Sequence, residues 1–334
     1  MVGRLLLLAL LLCGLCVADG DIGTVDKDPP AFSEERAGPP PRTGRFASLT
    51  QTIQRQTRQA ECDSKWTDID PNHTMCRKDR GTEVVLDQAT KDALLQQHND
   101  LRGRVSPIAG NMPKLVSNDI QAAQLLVWDD ELALVAAKWA RRCVVKHDNG
   151  NARRVPSLPG IHVGQNAAFG YRSFTSAVQA WFNEYKNFKY GTGSKGGVVG
   201  HYTQMAAART HRIGCGQADC PGYKYRRYYI CNYAVGQYTS DLVKPYKKAT
   251  KSCARCPGKC DSTGKLCDCG GKLCLNGGSL DIATCSCTCP DIYSGPTCEK
   301  NACKRGLHPP ATEPSTNTPT TQSPTNKLGL CVFK

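Results

Sequence analysis

The chain has 334 residues and a formal net charge of +14. A charge of that size favours acidic partners or negatively charged membrane surfaces, but the Lys and Arg residues are scattered and do not read as a groove of basic residues interleaved with aromatics, so no nucleic-acid partner is expected. The 20 cysteines point to an oxidising compartment, where paired thiols persist.

Residues 1–18 read as a secretory signal peptide: Arg4 precedes the apolar run from Leu5 to Leu12, and Cys16-Val17-Ala18 offers small residues for cleavage. The run is too short to span a bilayer and no later stretch is long enough. A secreted, extracellular product with no transmembrane segment is expected. Cys13 and Cys16 leave with the signal, so 18 of the 20 cysteines remain, an even number. Residues 19–58 are rich in Pro, Gly and polar residues, follow neither a helical nor a strand period, and read as disordered. They end in Arg55-Gln56-Thr57-Arg58, which resembles a proprotein-convertase site, so the stretch is either a flexible tail or a cleaved propeptide.

Residues 59–86 form an N-terminal arm. Cys62 and Cys76 are close together and apart from the other cysteines, so they most simply pair with each other. Between them, Asn72-His73-Thr74 is the one Asn-x-Ser/Thr sequon of the chain, which makes Asn72 a surface acceptor for a glycan. A first helix is expected from Asp87 or Thr90 to Val105, with Leu94, His98, Leu101 and Val105 on one stripe. His98 on that stripe reads as a hydrogen-bonded core histidine rather than a ligand. Pro107 to Pro113 is a loop, and Leu115 to Leu126 has no assigned role.

Asp129 caps a second expected helix whose face is Leu132, Val135, Ala136, Trp139, Ala140 and Cys143. His147, four residues beyond Cys143, then falls near the helix C-terminus, where the dipole favours a cationic imidazole. Gly160 to Ala168 is an expected strand carrying Gln165. A third helix, capped near Thr175, carries the stripe Ala177, Trp181, Glu184 and Phe188. A carboxylate on an aromatic stripe must be paired or face a cavity, which makes Glu184 the most informative acid in the chain. Gly191 to Gly197 reads as a flexible loop and not a phosphate cradle, since no strand precedes it and no P-loop Lys-Ser/Thr pair follows. Arg212 to Gln217 and Lys224 to Ala234 read as strands.

Four polar residues recur here in order: His147 after Cys143, Gln165 in Gly164-Gln165-Asn166, Glu184 in Trp181-Phe182-Asn183-Glu184, and His201 in Gly200-His201-Tyr202-Thr203-Gln204-Met205. Tyr229-Ile230-Cys231-Asn232-Tyr233-Ala234-Val235-Gly236 follows. This ordered set resembles the CAP superfamily of cysteine-rich secretory proteins, antigen 5 and plant pathogenesis-related proteins. The resemblance implies an α+β fold, an α-β-α sandwich over residues 87–248. It also implies a shallow cavity lined by His147, Gln165, Glu184 and His201, with Gln165 standing where the family carries an acid. In some members that cavity binds a divalent metal, so His147 and His201 are the candidate metal ligands, with zinc the candidate ion and no cofactor required. A polar cluster that only holds the fold carries equal weight. Ligation needs neutral imidazole, so metal affinity is expected to fall as pH drops through about 6.5.

The remaining cysteines crowd the C-terminal end, where few large apolar residues are available and covalent staples must hold the fold. Cys253-x-x-Cys256 with Cys260 and Cys267 resembles the cysteine-rich hinge of secretory family members, residues 249–268. A zinc or redox use of that Cys-x-x-Cys is disfavoured in so cysteine-dense a secreted chain. Residues 269–299 resemble an EGF-like module, lacking a calcium consensus before Cys269, with Cys285 and Cys287 closer together than usual. Residues 300–334 are a Thr/Pro-rich tail closed by cysteines, and the ion-channel regulatory domain of vertebrate members is not recognisable. By resemblance and spacing, Cys143 is expected to pair with Cys220, Cys215 with Cys231, Cys253 with Cys260, and Cys256 with Cys267. The EGF-like order adds Cys269 with Cys285, Cys274 with Cys287, and Cys289 with Cys298, which leaves Cys303 with Cys331.

Three function classes follow. The first is a non-enzymatic, secreted binding or venom/toxin-like effector with an extracellular or cell-surface protein partner. The second, implied by resemblance to venom members proposed to process peptides, is a secreted endopeptidase acting on peptide precursors, with Glu184 as its catalytic acid. The third, by resemblance to other members, is a sterol or lipid binder. The amide at Gln165 and the absence of a spare thiol favour the first.

Overall fold

The computed structural model describes residues 62–115 and 128–301. The signal, residues 19–58, most of the Leu115 to Leu126 segment and the tail with Cys303 and Cys331 lie outside the described residues. In chain order the principal elements begin with α1, Ser64–Thr67, β1, Thr82–Val84, α2, Gln88–Arg102, and α3, Asp130–Ala140. They continue with β2, Val163–Phe169, α4, Phe174–Asn183, β3, Phe188–Lys189, β4, Gly193–Ser194, and α5, Gly200–Ala206. Then come β5, Arg212–Asp219, β6, Arg227–Ala234, β7, Ser279–Asp281, β8, Ser286–Thr288, β9, Tyr293–Ser294, and β10, Lys300–Asn301.

One antiparallel sheet in the order β1-β5-β6-β2 organises the body. Along β6 the side chains alternate between faces, as the strand period requires. Tyr229, Cys231 and Tyr233 join the core under α2, α4 and α5, while Tyr228, Ile230 and Ala234 join the cores under α3. Helices therefore cover both faces, which is the α-β-α sandwich. The α3 layer comes unusually close to the sheet because β5 offers glycine at the contact. A Cβ on Gly214 would meet Ala133 N at 2.2 Å, and one on Gly216 would meet Ala137 N at 2.2 Å. Neither backbone can give way, so only glycine serves there.

Local signals explain the helix starts. Asp87 Oδ1 accepts from Thr90 N at 2.8 Å ahead of α2, and Asp129 Oδ1 accepts from Leu132 N at 3.0 Å ahead of α3. Helix α2 stops at Arg102, short of Val105, where Gly103 ends the run. Ser173 rather than Thr175 caps α4, by a reciprocal pair with Ser176. Phe188 does not continue that helix: α4 gives way to a 3-10 turn at Glu184–Asn187, and Phe188 opens the β3/β4 hairpin. That hairpin brings strand structure into the glycine-rich stretch expected to be a loop.

Arg102 shows how the body is braced. It is fully buried with no carboxylate beside it, and its guanidinium donates to Pro113 O, Met205 O, Ala207 O and Thr210 O at 2.7–3.2 Å. Burial pulls its pKa down to about 9. His98, on the same helix, is also fully buried, with Nδ1 2.7 Å from Leu94 O and Nε2 3.1 Å from Tyr233 Oη.

Eight disulfides occur among the described residues. In the arm and body they join Cys62–Cys76, Cys143–Cys220 and Cys215–Cys231. In the C-terminal region they join Cys253–Cys260, Cys256–Cys267, Cys269–Cys285, Cys274–Cys287 and Cys289–Cys298. That region contains only two small hairpins, β7/β8 and β9/β10, yet it does not hang free. Leu266 and Leu273 enter the body's cores. Backbone hydrogen bonds run from Cys267 N to Met112 O at 2.8 Å, from Arg255 N to Gly110 O at 2.8 Å and from Asn276 N to Pro159 O at 3.0 Å.

Candidate functional site

The site is built around β2, one of the two edge strands of the sheet. Consecutive strand residues point to opposite faces, so Gln165 shares the α3 face with Val163 and Ala167 while Asn166 shares the opposite face with Ala168. Each anchors one histidine. Gln165 Oε1 lies 2.8 Å from His147 Nδ1, and Asn166 Nδ2 donates to His201 O at 3.1 Å.

The orientation of Gln165 follows from its other neighbours. Its Nε2 donates to Asp148 Oδ1 and to Asn232 Oδ1, both at 3.0 Å. Asn232 spends its own amide N–H on Leu132 O, which leaves its oxygen as the acceptor. Gln165 Oε1 is therefore the end that faces His147, so His147 carries its proton on Nδ1 and keeps a lone pair on Nε2. Although His147 retains an exposed edge, the protein packed around its ring disfavours a charge and lowers its pKa. The bond to Gln165 opposes that shift, and the charges of Arg153 and His201 reinforce it. The expected placement at a helix C-terminus, favouring a cation, is corrected. Helix α3 ends at Ala140, and residues 141–147 leave it in turns, held by a hydrogen bond from Trp139 Nε1 to Lys146 O at 2.8 Å.

The second pair lies between α4 and α5. Glu184 Oε1 is 2.6 Å from His201 Nδ1, while Oε2 accepts from His201 N at 2.9 Å and Tyr202 N at 3.1 Å. The carboxylate thus caps the first turn of α5, where two N–H groups lack helical partners, and also orients the imidazole. Trp181 stacks on that ring at 6.1 Å between centroids, inclined by 18°. The rest of the Gly200–Met205 motif is structural. Tyr202 is buried, Thr203 Oγ1 donates to Gln237 Oε1 at 2.6 Å, and Gln204 Oε1 accepts from Gln237 N at 3.0 Å.

The structure thus links His147 with Gln165, and Glu184 with His201. Asp148 was missed from sequence. It is buried and takes Arg153 Nε at 2.6 Å, Thr74 Oγ1 at 2.6 Å and the Gln165 amide at 3.0 Å. The signal was present: an acid next to His147 with Arg153 five positions on. Its partner Thr74 tethers the N-terminal arm to the site, and His73 beside it is buried, with Nε2 2.8 Å from Arg154 O. Asn72 itself is exposed.

The donor set decides what metal could be held. Both imidazoles have Nδ1 engaged, so each can offer Nε2. No third His, Cys, Asp or Glu converges with them: among the described residues the one group of three such atoms is Cys253, Cys256 and Cys267, and all three are in disulfides. A structural zinc centre needs four protein ligands and a catalytic one three. The residues present do not fit either, and two imidazoles would leave water to complete the shell.

The family model "Cysteine-rich secretory protein family" (CAP) matches residues 95–233. Over 252 residues the chain is 38% identical to cysteine-rich venom protein Mr30 of Conus marmoreus, covering 74% of this chain and 79% of that protein. The chain belongs to the CAP family. A cysteine-rich venom protein of Conus textile is 39% identical over 72% of this CAP chain and 77% of its own length. Cysteine-rich secretory protein 3 of horse is 38% identical over 51% of this chain and 65% of its own. Among solved structures, Schistosoma mansoni venom allergen-like protein 4 aligns 97% of its length with 49% of this chain, at 27% identity and a TM-score of 0.40. No helix among the described residues is long and apolar enough to cross a membrane.

Proposed function

We propose that this CAP chain, similar to two Conus proteins named cysteine-rich venom proteins, is a secreted, non-enzymatic binding effector acting through its surface and an EGF-like C-terminal module. The observation that carries this reading is the structural commitment of Glu184. Its two oxygens take three donors, two of them backbone N–H groups of α5, so three of about four lone-pair sites are spent on capping α5 and orienting His201. The other buried acid, Asp148, is equally occupied by Arg153, Thr74 and Gln165. Gln165 is an amide and cannot serve as a base near neutral pH. Every cysteine among the described residues is in a disulfide, so none offers a nucleophilic thiol.

The test compares wild type with Glu184→Gln on basic and aliphatic peptide libraries, with and without zinc. No cleavage by either protein is expected. Repeated turnover at a defined bond by wild type and not by the variant would replace this reading with the endopeptidase one. A lipid or sterol recovered by extraction of the purified protein would favour the third class. Metal binding at His147 and His201, and a glycan at Asn72, are separate proposals. Calorimetry with zinc on wild type and His147→Ala/His201→Ala tests the first, and the mass of the peptide bearing Asn72 tests the second.

A further inference from the structure

The basic residues that look scattered in sequence are not scattered in space. A cleft of about 660 Å³ opens between the N-terminal arm and the end of α3, lined by Arg77, Lys78, Asp79, Arg80, Lys138 and Arg142 beside the Cys62–Cys76 disulfide. Five of those six side chains are cationic. The single acid is already taken, because Asp79 pairs with Lys138 at 3.0 Å and with Arg141 at 3.1 Å. Among the described residues, Arg77, Lys78, Arg80 and Arg142 have no carboxylate partner. Arg77 Nε donates to Asn72 O at 3.2 Å, Arg142 bonds to Lys78 O, and the buried Nε of Arg142 has no hydrogen-bond partner among the described residues.

Like charges gathered this way repel unless an anion sits among them. The fold nevertheless holds them in place. The Cys62–Cys76 disulfide fixes one end of the segment, β1 pairing with β5 fixes the other, and Arg80 N and Gly81 N both donate to Arg141 O at 2.8 and 2.9 Å. The C-terminal end of α3 offsets part of one positive charge, not four. Burial and the charges of Arg80 and Arg77 lower the pKa of Arg142, as repulsion within the cluster requires.

We propose that this cleft binds a sulfated polysaccharide, with Arg77, Lys78, Arg80 and Arg142 pairing with its sulfate groups. The choice of polyanion follows from the lining. Among the described residues that line the cleft, none is an aromatic ring on which a nucleobase could stack. No exposed large apolar side chain lines it to insert into a membrane. The cations sit along a recess that suits a linear chain of repeated charge, in a disulfide-rich molecule built for the oxidising space where such chains occur.

The experiment uses the full chain and heparin oligosaccharide of defined length, with affinity measured by calorimetry at several salt concentrations. Arg77→Ala/Lys78→Ala/Arg80→Ala removes three exposed charges without touching the core, and affinity is expected to fall about tenfold or more, with a shallower salt dependence. Lys244→Ala/Lys247→Ala/Arg255→Ala, in the separate cleft beside Tyr190 and Tyr246, is expected to bind as wild type does. Near-UV circular dichroism confirms the fold of each variant. The proposal is overturned if wild type does not bind heparin, if the first variant binds unchanged, or if the second loses binding instead. Equal binding of fully desulfated heparin, or binding only of polyglutamate or of phosphatidylserine vesicles, overturns it too. The proposal rests on the reading of the chain as an extracellular binding protein. A chain that cleaved peptides, yet lost heparin binding only in the first variant, would sink that reading and leave the cleft standing.

Discussion

The sandwich body and the C-terminal region are held by different physics, and the contrast shows what each can tolerate. The body buries Leu, Val, Trp and Tyr side chains on both faces of its sheet and satisfies its few buried polar groups in networks around Arg102, Asp148 and Glu184. The region from Cys253 to Asn301 has two short hairpins, few large apolar side chains and five disulfides. Packing and networks fail when one buried member is altered. Staples fail one loop at a time.

The contrast breaks most clearly in acid. His98 and His211 are fully buried and held neutral, with pKa values pushed down to about 4 and about 3 by desolvation, helped by the charge of Arg102 and, at His211, of Arg212. A folded-state pKa below the unfolded value means that the unfolded chain binds more protons. The stabilisation is complete above the usual histidine value near 6.5 and is lost as pH falls toward the folded values. At about 1.4 kcal/mol per unit, the body should lose several kcal/mol on the way to pH 4. Residues 249–301 contain no histidine, so the C-terminal region should hold over the same range. Thermal melts followed by far-UV circular dichroism, with tryptic mapping of the tail, check this; a melting temperature flat from pH 7 to pH 4.5 contradicts it.

Next in size is Arg102→Ala. It strips the hydrogen bonds from four buried carbonyls and leaves a cavity, at an expected cost of about 3–5 kcal/mol, read from urea unfolding. The tail's smaller counterpart is Cys256→Ser/Cys267→Ser, which opens a loop with a sequence separation of 11. Loop-closure entropy puts that at about 3 kcal/mol. New proteolytic cuts should be confined to residues 250–301, while the body's melting temperature stays within a few degrees. Cuts spread through the sandwich would show that the two regions unfold as one.

The smallest effect is expected at Gln165→Glu, which restores the acid that the family resemblance leads one to expect. The new carboxylate would face Asp148 Oδ1 and Asn232 Oδ1, where the amide now donates. Like charges at that distance raise one carboxyl pKa, so the variant should lose about 1–3 kcal/mol at neutral pH and recover part of it in mild acid. A stability equal to wild type at pH 7 would mean that Asp148 does not set the identity of residue 165.

Much of the body was legible in sequence because its signals are local. Caps at Asp87 and Asp129, the periodic stripes of α2 and α3 and the tyrosine-rich β6 each declare themselves within a short window. The histidine pairings were legible only through the ordered family motifs. What escaped depended on contacts made by distant segments. Asp148 acts through Thr74 and Gln165, 74 and 17 positions away in sequence. The sequence reads Glu184 as an acid that is paired or faces a cavity, but its use as a cap for α5 requires the chain to turn back at Phe188. Edge strand β1 is three residues long, too short for a pattern, and the cleft beside it forms only when Arg77 to Arg80 meet the end of α3.

The docking of the C-terminal region against Met112, Gly110 and Pro159 gives the molecule a geometric property that neither part has alone. A module joined by a slack linker searches a volume, and a partner that grips both ends must restrict that search. Here the backbone contacts have already done so during folding. For a partner that gripped both parts, the second contact would be an intramolecular event with no linker left to order, and the spacing of its two epitopes would count as well as their chemistry.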